Sequence, residues 1–149
     1  MLHVVLIEPE IPPNTGNIAR LCLAAGARLH LVGPLGFSLE EKALRRAGMD
    51  YWHLCDVRQW VSFDELRLAD PGARFYYLTT KTDRCYWDAA FADGDHLVFG
   101  RETRGLPESL LAENPADCLT IPMDPAARSL NLATAAGIVL YEALRQVRS

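Results

Sequence analysis

Three polar segments, each following an apolar stretch, hold the residues of this chain that could do chemistry. Residues 14–20, Asn-Thr-Gly-Asn-Ile-Ala-Arg, open a predicted helix, and the N-terminus of a helix can bind an anion such as phosphate. In residues 99–107 two glycines surround a run of charged side chains, which lets the backbone approach a ligand closely. Residues 121–131 end on the polar sequence Arg-Ser-Leu-Asn, just before the longest predicted helix.

Each segment taken by itself also has a purely structural interpretation. Asn14 could cap a helix beside a solvent-exposed Arg20, residues 99–107 could form a surface turn with an Arg–Glu pair, and Ser129 could be an N-cap. An N-cap alone leaves the neighbouring arginine and asparagine without a role, whereas a polar ligand bound at this helix start would contact all three.

Several common kinds of site are not predicted. The G-x-G-x-x-G dinucleotide fingerprint, the phosphate loop and the G-x-S-x-G elbow of serine hydrolases do not occur in the sequence. The histidines are scattered without metal-ligand spacing, and the cysteines form no C-x-x-C pair, so we expect no metal site and reduced thiols. The residues concerned are His3, His30, His53, His96, Cys22, Cys55, Cys85 and Cys118.

The elements that must position the three segments alternate between strand and helix. This alternation predicts an α/β fold in one domain, residues 1–149, with a mostly parallel sheet covered by helices on both faces. A ligand is then expected at the carboxyl ends of the strands. Strands are predicted at 3–7, 28–32, 51–54, 75–79, 97–99 and 118–121, and helices at 14–25, 38–48, 62–70 and 130–147.

Composition limits the partners and the compartment. The net charge of −4 argues against a protein that coats nucleic acid nonspecifically, although thirteen of the fifteen basic residues are arginines, which make forked contacts with phosphate. No apolar run approaches the ~20 residues of a membrane span, and the N-terminal sequence lacks the features of a signal peptide. We therefore expect a cytoplasmic protein that does not enter membranes.

The last predicted helix is apolar on more than one side. One stripe of apolar residues at helical spacing is accompanied by Ile138 and Tyr141 on the opposite side. Its small residues would permit close approach of another helix, and they are Ala133, Ala135, Ala136 and Gly137. We predict a homodimer that buries the second face, and the alternative is a helix that is central in the core of one chain.

Together the three segments resemble the sequence motifs of the SPOUT methyltransferases. The pattern N-x-G-x-x-x-R matches residues 14–20, F-G-x-E-x-x-G-L matches residues 99–106, and I-P-M followed by S-x-N matches residues 121–131. The resemblance extends over the whole chain. The opening sequence E-P-E-I-P-P-N-T-G-N and the lack of an added RNA-binding domain are similar to the minimal members of this family.

The resemblance implies a fold and a cofactor that residue patterns do not predict. It implies a C-terminal trefoil knot, a homodimer, and S-adenosyl-L-methionine as the methyl donor, with no metal. General topology rules would instead predict an unknotted sheet. The cofactor is assigned by the resemblance to residues with small or aliphatic side chains and to the start of the last helix, namely Leu78, Gly100, Ile121, Met123, Ser129 and Leu130.

The resemblance also assigns catalytic and RNA-binding residues. It gives Arg20 a catalytic role, with Ser129, Asn131 and Glu102 orienting the substrate or the cofactor. A dimer would combine Arg20 of one subunit with the cofactor of the other. Because an arginine stays protonated at ordinary pH, we expect Arg20 to bind phosphate and stabilise the developing alkoxide rather than to act as the base. RNA contacts are expected from Asn14, Arg20, Arg45, Arg46, Lys81, Arg84 and Arg104.

The activity implied by the resemblance is methylation of a tRNA ribose. The minimal members of the family methylate the 2'-hydroxyl of the wobble nucleotide, a cytidine or a modified uridine, in the anticodon arm of leucine tRNAs. Two alternatives stay open. One is a 2'-O-methyltransferase for another tRNA or rRNA position, and the other is a noncatalytic RNA-binding module on the same fold.

Overall fold

A single sheet of six strands forms the centre of the computed structural model, which describes residues 1–46 and 48–148. The strands are β1 (His3–Ile7), β2 (Arg28–Val32), β3 (Val57–Trp60), β4 (Phe75–Leu78), β5 (His96–Phe99) and β6 (Cys118–Leu119). Their order across the sheet is β3-β2-β1-β5-β4-β6, and every neighbouring pair is parallel. Residues 47 and 149, which belong to the predicted helix 38–48 and to the predicted domain 1–149, lie outside the described residues.

Helices cover both faces of this sheet, as predicted. The helices are α1 (Pro12–Ala25), α2 (Glu41–Arg46), α3 (Phe63–Ala69), α4 (Glu108–Glu113) and α5 (Leu132–Arg148). Alternate residues of β1 point to opposite sides, so Val4 and Leu6 pack in a core with α1 and α5, whereas Val5 and Ile7 pack in a core with α3 and α4. Burial on both faces explains why the central strands are continuously apolar in the sequence.

Local signals determine where two of the helices begin or end. Gly26, at a φ of 68°, ends α1, and the N–H of Ala27 donates to the Cys22 carbonyl at 2.8 Å. The Ser62 hydroxyl caps α3 by accepting a hydrogen bond from the Glu65 N–H at 3.2 Å. Both boundaries agree with the prediction from the sequence.

The predicted strand at 51–54 is wrong. Residues Trp52–Leu54 form a short 3₁₀ turn, and the strand is β3, a few residues later. This strand lies at the edge of the sheet and exposes Arg58 and Gln59, so it lacks the apolar run by which the buried strands are recognised. A strand of four residues with two polar residues in its middle shows no pattern by which it could be found from the sequence.

Helix α5 packs against α1 of the same chain. Its residues Ala136, Val139, Leu140 and Ala143 are fully buried, and a Cβ atom on Gly137 would lie 3.9 Å from Leu21 of α1. The small residues of α5 therefore serve a contact within one chain. Tyr141 on the other side is 46% exposed, and the homodimer stays a prediction, as does the trefoil knot.

Two further findings concern the cysteines and the length of the helices. All four cysteines are free, and burial raises the pKa of the Cys22 thiol to about 12. Among the described residues, no helix is long and apolar enough to cross a bilayer.

Candidate active site

A cavity of about 480 Å³ opens where β1, β4, β5 and β6 end, at their carboxyl edges. All three segments singled out from the sequence contribute to its wall. A cavity of this size is typical of sites for small ligands and cofactors. Its lining includes Ile11, Asn14, residues 78–81, residues 99–106, Thr120, Ile121, Met123, residues 129–132 and Ala135.

The residues assigned to the cofactor all lie in this wall. Leu78, Ile121, Met123 and Leu130 supply apolar surface, while Gly100 and Ser129 expose backbone and a hydroxyl. A Cβ atom on Gly100 would lie 2.1 Å from the carbonyl carbon of Gly105, so this position accepts only glycine without displacement of the loop. The glycine is therefore needed for the shape of residues 100–106 themselves.

Glu102 connects the second segment to the start of α1. Its Oε1 accepts a hydrogen bond from the Glu10 N–H at 3.0 Å, and its Oε2 accepts one from the Ile11 N–H at 2.6 Å. The Asn14 side chain also donates to Oε2, at 3.5 Å. A carboxylate is favoured beside the unpaired N–H groups of a helix N-terminus because of the helix dipole.

Asn14 and Asn131 connect the first segment to the third. The Asn131 Nδ2 donates to Asn14 Oδ1 at 3.0 Å, and Asn131 Oδ1 accepts from the Ala133 and Thr134 N–H groups at 2.9 and 3.2 Å. Asn131 is thus the N-cap of α5, which corrects the interpretation of Ser129 as that cap. Asn14 is not an N-cap either, since α1 begins at Pro12.

A second set of contacts joins residues 8–10 to residues 101–103. Arg101 Nη2 and Glu8 Oε1 are 2.7 Å apart, and both the N–H and the hydroxyl of Thr103 donate to Glu10 Oε1, at 3.2 and 2.8 Å. Glu8 has a φ of 51°, a conformation that non-glycine residues seldom adopt. The sequence prediction missed Glu8 and Glu10, whose only signal is their place in the E-P-E sequence after β1.

Arg20 does not line the cavity. It lies on the exposed side of α1, and its Cζ atom is 5.6 Å from the centre of the Tyr51 ring. Of the four predicted catalytic residues, Glu102, Ser129 and Asn131 therefore line one cavity. Arg20 of the same chain lies outside it.

The predicted RNA-binding residues divide into two groups. Asn14, Lys81 and Arg104 line the cavity, and Lys81 and Arg104 also line a second cavity of about 350 Å³, which shares part of the 101–106 loop with the first. The other four lie outside both cavities, and they are Arg20, Arg45, Arg46 and Arg84. Arg45 and Arg46 belong to α2, and the Arg84 guanidinium donates to the Ala116 carbonyl.

Three histidines that are distant in the sequence meet near the amino ends of the strands. The Trp60 indole N–H donates to His30 Nδ1 at 3.0 Å, so the proton of the His30 ring is on Nε2 and donates to His3 Nδ1 at 2.8 Å. His96 stacks on His3 with ring centres 4.0 Å apart, and its Nδ1 lies 3.0 Å from the Gly94 carbonyl.

These histidines are better described as neutral hydrogen-bonding groups than as metal ligands. Burial is the main cause that lowers the pKa of His3 to about 4 and of His30 to about 3, and it also lowers the pKa of His96. Their ring nitrogens lie within 4.8 Å of one another, close enough for a shared ion. However, a metal on His30 Nε2 would move the ring proton to Nδ1, against the indole N–H of Trp60.

A fully parallel α/β sheet, with residues from each of the three motifs in the wall of one cavity at its carboxyl edge, agrees with the SPOUT class that the sequence resembles. The chain belongs to the SpoU rRNA Methylase family, whose sequence profile matches residues 1–141. The resemblance on which the prediction of fold and class rested is thereby confirmed.

Two relatives are similar over nearly their whole length. The tRNA (cytidine(34)-2'-O)-methyltransferase of Escherichia coli (strain K12) is 48% identical over 148 residues, which cover 99% of this chain and 94% of that protein. The protein of the same name from Methylovorus glucosotrophus (strain SIP3-4) is 50% identical over 147 residues, which cover 98% of this chain and 96% of that one.

Solved structures agree with these similarities. A structure described as giving insights into the 2-OH methylation of C/U34 on tRNA has a TM-score of 0.90 and 48% identity, covering 98% of this chain and 95% of that one. The AdoMet-bound rRNA methyltransferase from Sinorhizobium meliloti has a TM-score of 0.83 and 30% identity, covering 99% of this chain but 57% of that chain.

Proposed function

We propose that this protein transfers a methyl group from S-adenosyl-L-methionine to the ribose 2'-hydroxyl of nucleotide 34, the wobble cytidine or modified uridine, of leucine tRNAs. The observation that carries the proposal is the convergence of three distant segments, tied by Glu102, Asn14 and Asn131, on one cavity. The tRNA (cytidine(34)-2'-O)-methyltransferases that are about half identical over nearly the whole chain support the choice of position.

The cavity fits the proposed cofactor in size and in chemistry. Leu78, Ile121 and Met123 would hold apolar parts of the molecule, and backbone groups of the 100–106 loop with Ser129 would hydrogen-bond its polar parts. When bound, the sulfonium group supplies an activated methyl carbon for in-line attack by an oxygen nucleophile. The protein contributes mainly by holding that carbon and the acceptor oxygen in line.

Arg20 belongs to the acceptor side of the reaction. Its permanent positive charge binds an RNA phosphate and stabilises the alkoxide that develops as the 2'-hydroxyl loses its proton. Because Arg20 lies outside the cavity of its own chain, we propose that it acts at the cavity of the partner in a homodimer. Two exposed apolar residues, Leu23 on α1 and Tyr141 on α5, support such an interface.

The anticodon arm is proposed to lie across the basic side chains around the cavity. Lys81 and Arg104 are exposed at its border, and Arg45, Arg46 and Arg84, which lie outside the cavity, are proposed as further contacts to the RNA. The remaining parts of the proposal are a trefoil knot in the C-terminal segment, a cytoplasmic location and no requirement for a metal ion.

The test is methylation of unmodified total tRNA with labelled S-adenosyl-L-methionine, followed by mapping of the labelled nucleotide. Label on the ribose of nucleotide 34 in leucine tRNAs is expected. Label at another tRNA position, or only on rRNA, would replace the proposed acceptor, and the similarity to an rRNA methyltransferase makes rRNA the second substrate to assay. Absence of label at saturating cofactor would favour a noncatalytic RNA-binding module.

Arg20→Ala makes the assignment of roles testable. Methyl transfer should be abolished while cofactor affinity, measured by calorimetry, stays close to that of the wild type, because Arg20 does not line the cavity. A parallel loss of both properties would show that Arg20 belongs to the cofactor side.

A further inference from the structure

The proposed acceptor-side arginine contacts the face of an aromatic ring. The Arg20 guanidinium carbon lies 5.6 Å from the centre of the Tyr51 ring, within the distance at which a cation is attracted by the ring quadrupole. Within the part of the chain that the structure describes, no carboxylate forms an ion pair with Arg20. The ring of Tyr51 is therefore the partner that the fold supplies for this charge.

Tyr51 is itself fixed against the helix that carries Arg20. Its hydroxyl donates to the carbonyl of Gly16, one helical turn before Arg20. A Cβ atom at position 16 would lie 3.2 Å from that hydroxyl and 3.0 Å from Cε of Met49, so the glycine permits the close packing. Burial raises the pKa of Tyr51, in agreement with a protonated hydroxyl that donates this hydrogen bond.

An aromatic partner suits an arginine that must bind RNA. A carboxylate would occupy the N–H donors of the guanidinium and neutralise its charge. A ring face holds the guanidinium from one side, leaves its in-plane N–H donors available, and keeps the positive charge uncompensated. Arg20 on the exposed side of α1 would otherwise sample several rotamers, and fixing a long side chain costs conformational entropy.

We infer that Tyr51 is a positioning residue for methyl transfer, which holds the Arg20 guanidinium toward the substrate while Gly16 gives it access to α1. This inference rests on the proposed function of Arg20. It assigns Tyr51 a role through Arg20 alone, without contact between Tyr51 and the cofactor.

Two substitutions at position 51 separate the ring face from the hydroxyl. Tyr51→Leu removes the ring and should lower kcat for methyl transfer roughly three- to thirty-fold, as expected for the loss of a cation–π contact. KM for tRNA should change less than kcat, and cofactor affinity should stay unchanged. Tyr51→Phe keeps the ring face and should retain most of the activity, although it loses the hydrogen bond to Gly16.

Matched controls separate positioning from a loss of stability. Phe63→Leu removes a ring whose centre lies 4.9 Å from the guanidinium carbon of Arg67. Both residues belong to α3 and lie outside the cavity, so methylation should stay unchanged. Thermal unfolding of each variant shows how much folded protein is present. Combining Tyr51→Leu with Arg20→Lys should give less than the product of the two single effects, because one residue acts through the other.

The outcomes distinguish this inference from the function on which it rests. If the wild type methylates tRNA and Arg20→Ala is inactive, but Tyr51→Leu keeps kcat within about twofold of the wild type, the positioning role is wrong. Fully multiplicative effects in the double variant would also overturn it, since the two residues would then act independently. A wild type that fails to methylate any RNA would instead remove the proposed function.

Discussion

At the scale of single residues, Glu102 is the group on which the hydrogen bonds of the site converge. Two backbone N–H groups and one side-chain amide donate to its carboxylate. Asn14, one of these donors, also accepts from Asn131, so displacement of Glu102 would disturb all three segments. The sequence resemblance assigned Glu102 a role in orienting the substrate or cofactor, and the structure adds the contacts through which it could do so.

Glu102→Gln is expected to destabilise the protein and to reduce methylation. The amide replaces one acceptor oxygen by a donor, which then faces the N–H of Glu10 or Ile11, at a cost of about 1.5–3 kcal/mol. Urea unfolding measures the loss of stability, and calorimetry measures the accompanying fall in cofactor affinity. The matched control is Glu108→Gln, because Glu108 is an exposed carboxylate paired only with Lys81 among the described residues. Equal stability of the two variants would show that the Glu102 contacts contribute nothing.

The sequence motifs predicted which residues line the cavity, but they did not predict every residue that holds its loops together. The common location of the six residues assigned to the cofactor could be predicted because the three motifs are distinctive and follow strands whose carboxyl ends share an edge. The position of Arg20 outside the cavity of its own chain agrees with the dimer arrangement that the resemblance implies, whereas the residue pattern alone does not predict it, since it depends on which side of α1 faces the solvent. Glu8 and Glu10 were missed for a similar reason, because their partners lie more than ninety residues away in the chain.

At the scale of elements, the start of α5 combines capping with a link between loops. Asn131 accepts two backbone hydrogen bonds at the helix N-terminus through Oδ1 and donates to Asn14 through Nδ2. These two functions use different atoms of one side chain, and substitutions can therefore separate them.

Asn131→Asp should keep the cap and lose the link. A carboxylate accepts the two helix N–H groups as well as the amide does, but it cannot donate to Asn14 Oδ1 and repels that oxygen. We expect near wild-type thermal stability with lowered methylation. Asn131→Ala removes both functions and should also cost about 1 kcal/mol of stability in urea unfolding. If Asn131→Asp methylates tRNA normally, the link to Asn14 is dispensable.

The boundaries of elements could be predicted where one residue type determines them. Gly26 and Ser62 are such positions, because a left-handed φ and a side-chain cap have specific chemical requirements. The strand β3 could not be found, since its exposed edge position removes the apolar pattern that identifies buried strands. The three-histidine cluster was missed because register between parallel strands, rather than spacing in the sequence, brings His3 beside His96.

At the scale of the whole molecule, the buried histidines predict how stability depends on pH. The unfolded chain binds protons on His3 and His30 below a pKa of 6.5, whereas the folded chain does so only below about 4 and about 3. Stability is therefore complete above about pH 7.5 and falls as the pH decreases from 6.5 toward 4, by up to about 1.4 kcal/mol per pH unit for each histidine.

Urea unfolding over this pH range should show the slope, and His30→Gln should reduce it. His53→Gln is the control, since His53 is exposed and lies outside the cluster. A wild-type stability that does not change between about pH 7 and about pH 4.5 would contradict the neutral state of the buried rings.

The proposed homodimer can be tested by combining two inactive subunits. Arg20→Ala lacks the arginine proposed to act on the acceptor ribose. Gly100→Ala displaces the loop of residues 100–106, because its Cβ would lie 2.1 Å from the carbonyl carbon of Gly105. If Arg20 acts at the partner's cavity, random exchange of subunits should restore roughly a quarter of wild-type activity, because heterodimers then contain one complete site. Gly72→Ala is the control for the glycine change, since nothing lies within 4 Å of its Cβ position. Mixtures that stay inactive, although exchange is shown by mass spectrometry, would place Arg20 in its own chain's site.

The ties among the loops also determine how the cavity can respond to a ligand. Because Asn14 contacts both Glu102 and Asn131, movement of the first segment would weaken its bonds to the other two. The backbone amides of Glu10 and Ile11 donate to the same Glu102 carboxylate. The rate of their deuterium exchange therefore reports on how firmly the first two segments are held together. A ligand that touches any one loop should therefore slow exchange at both amides together.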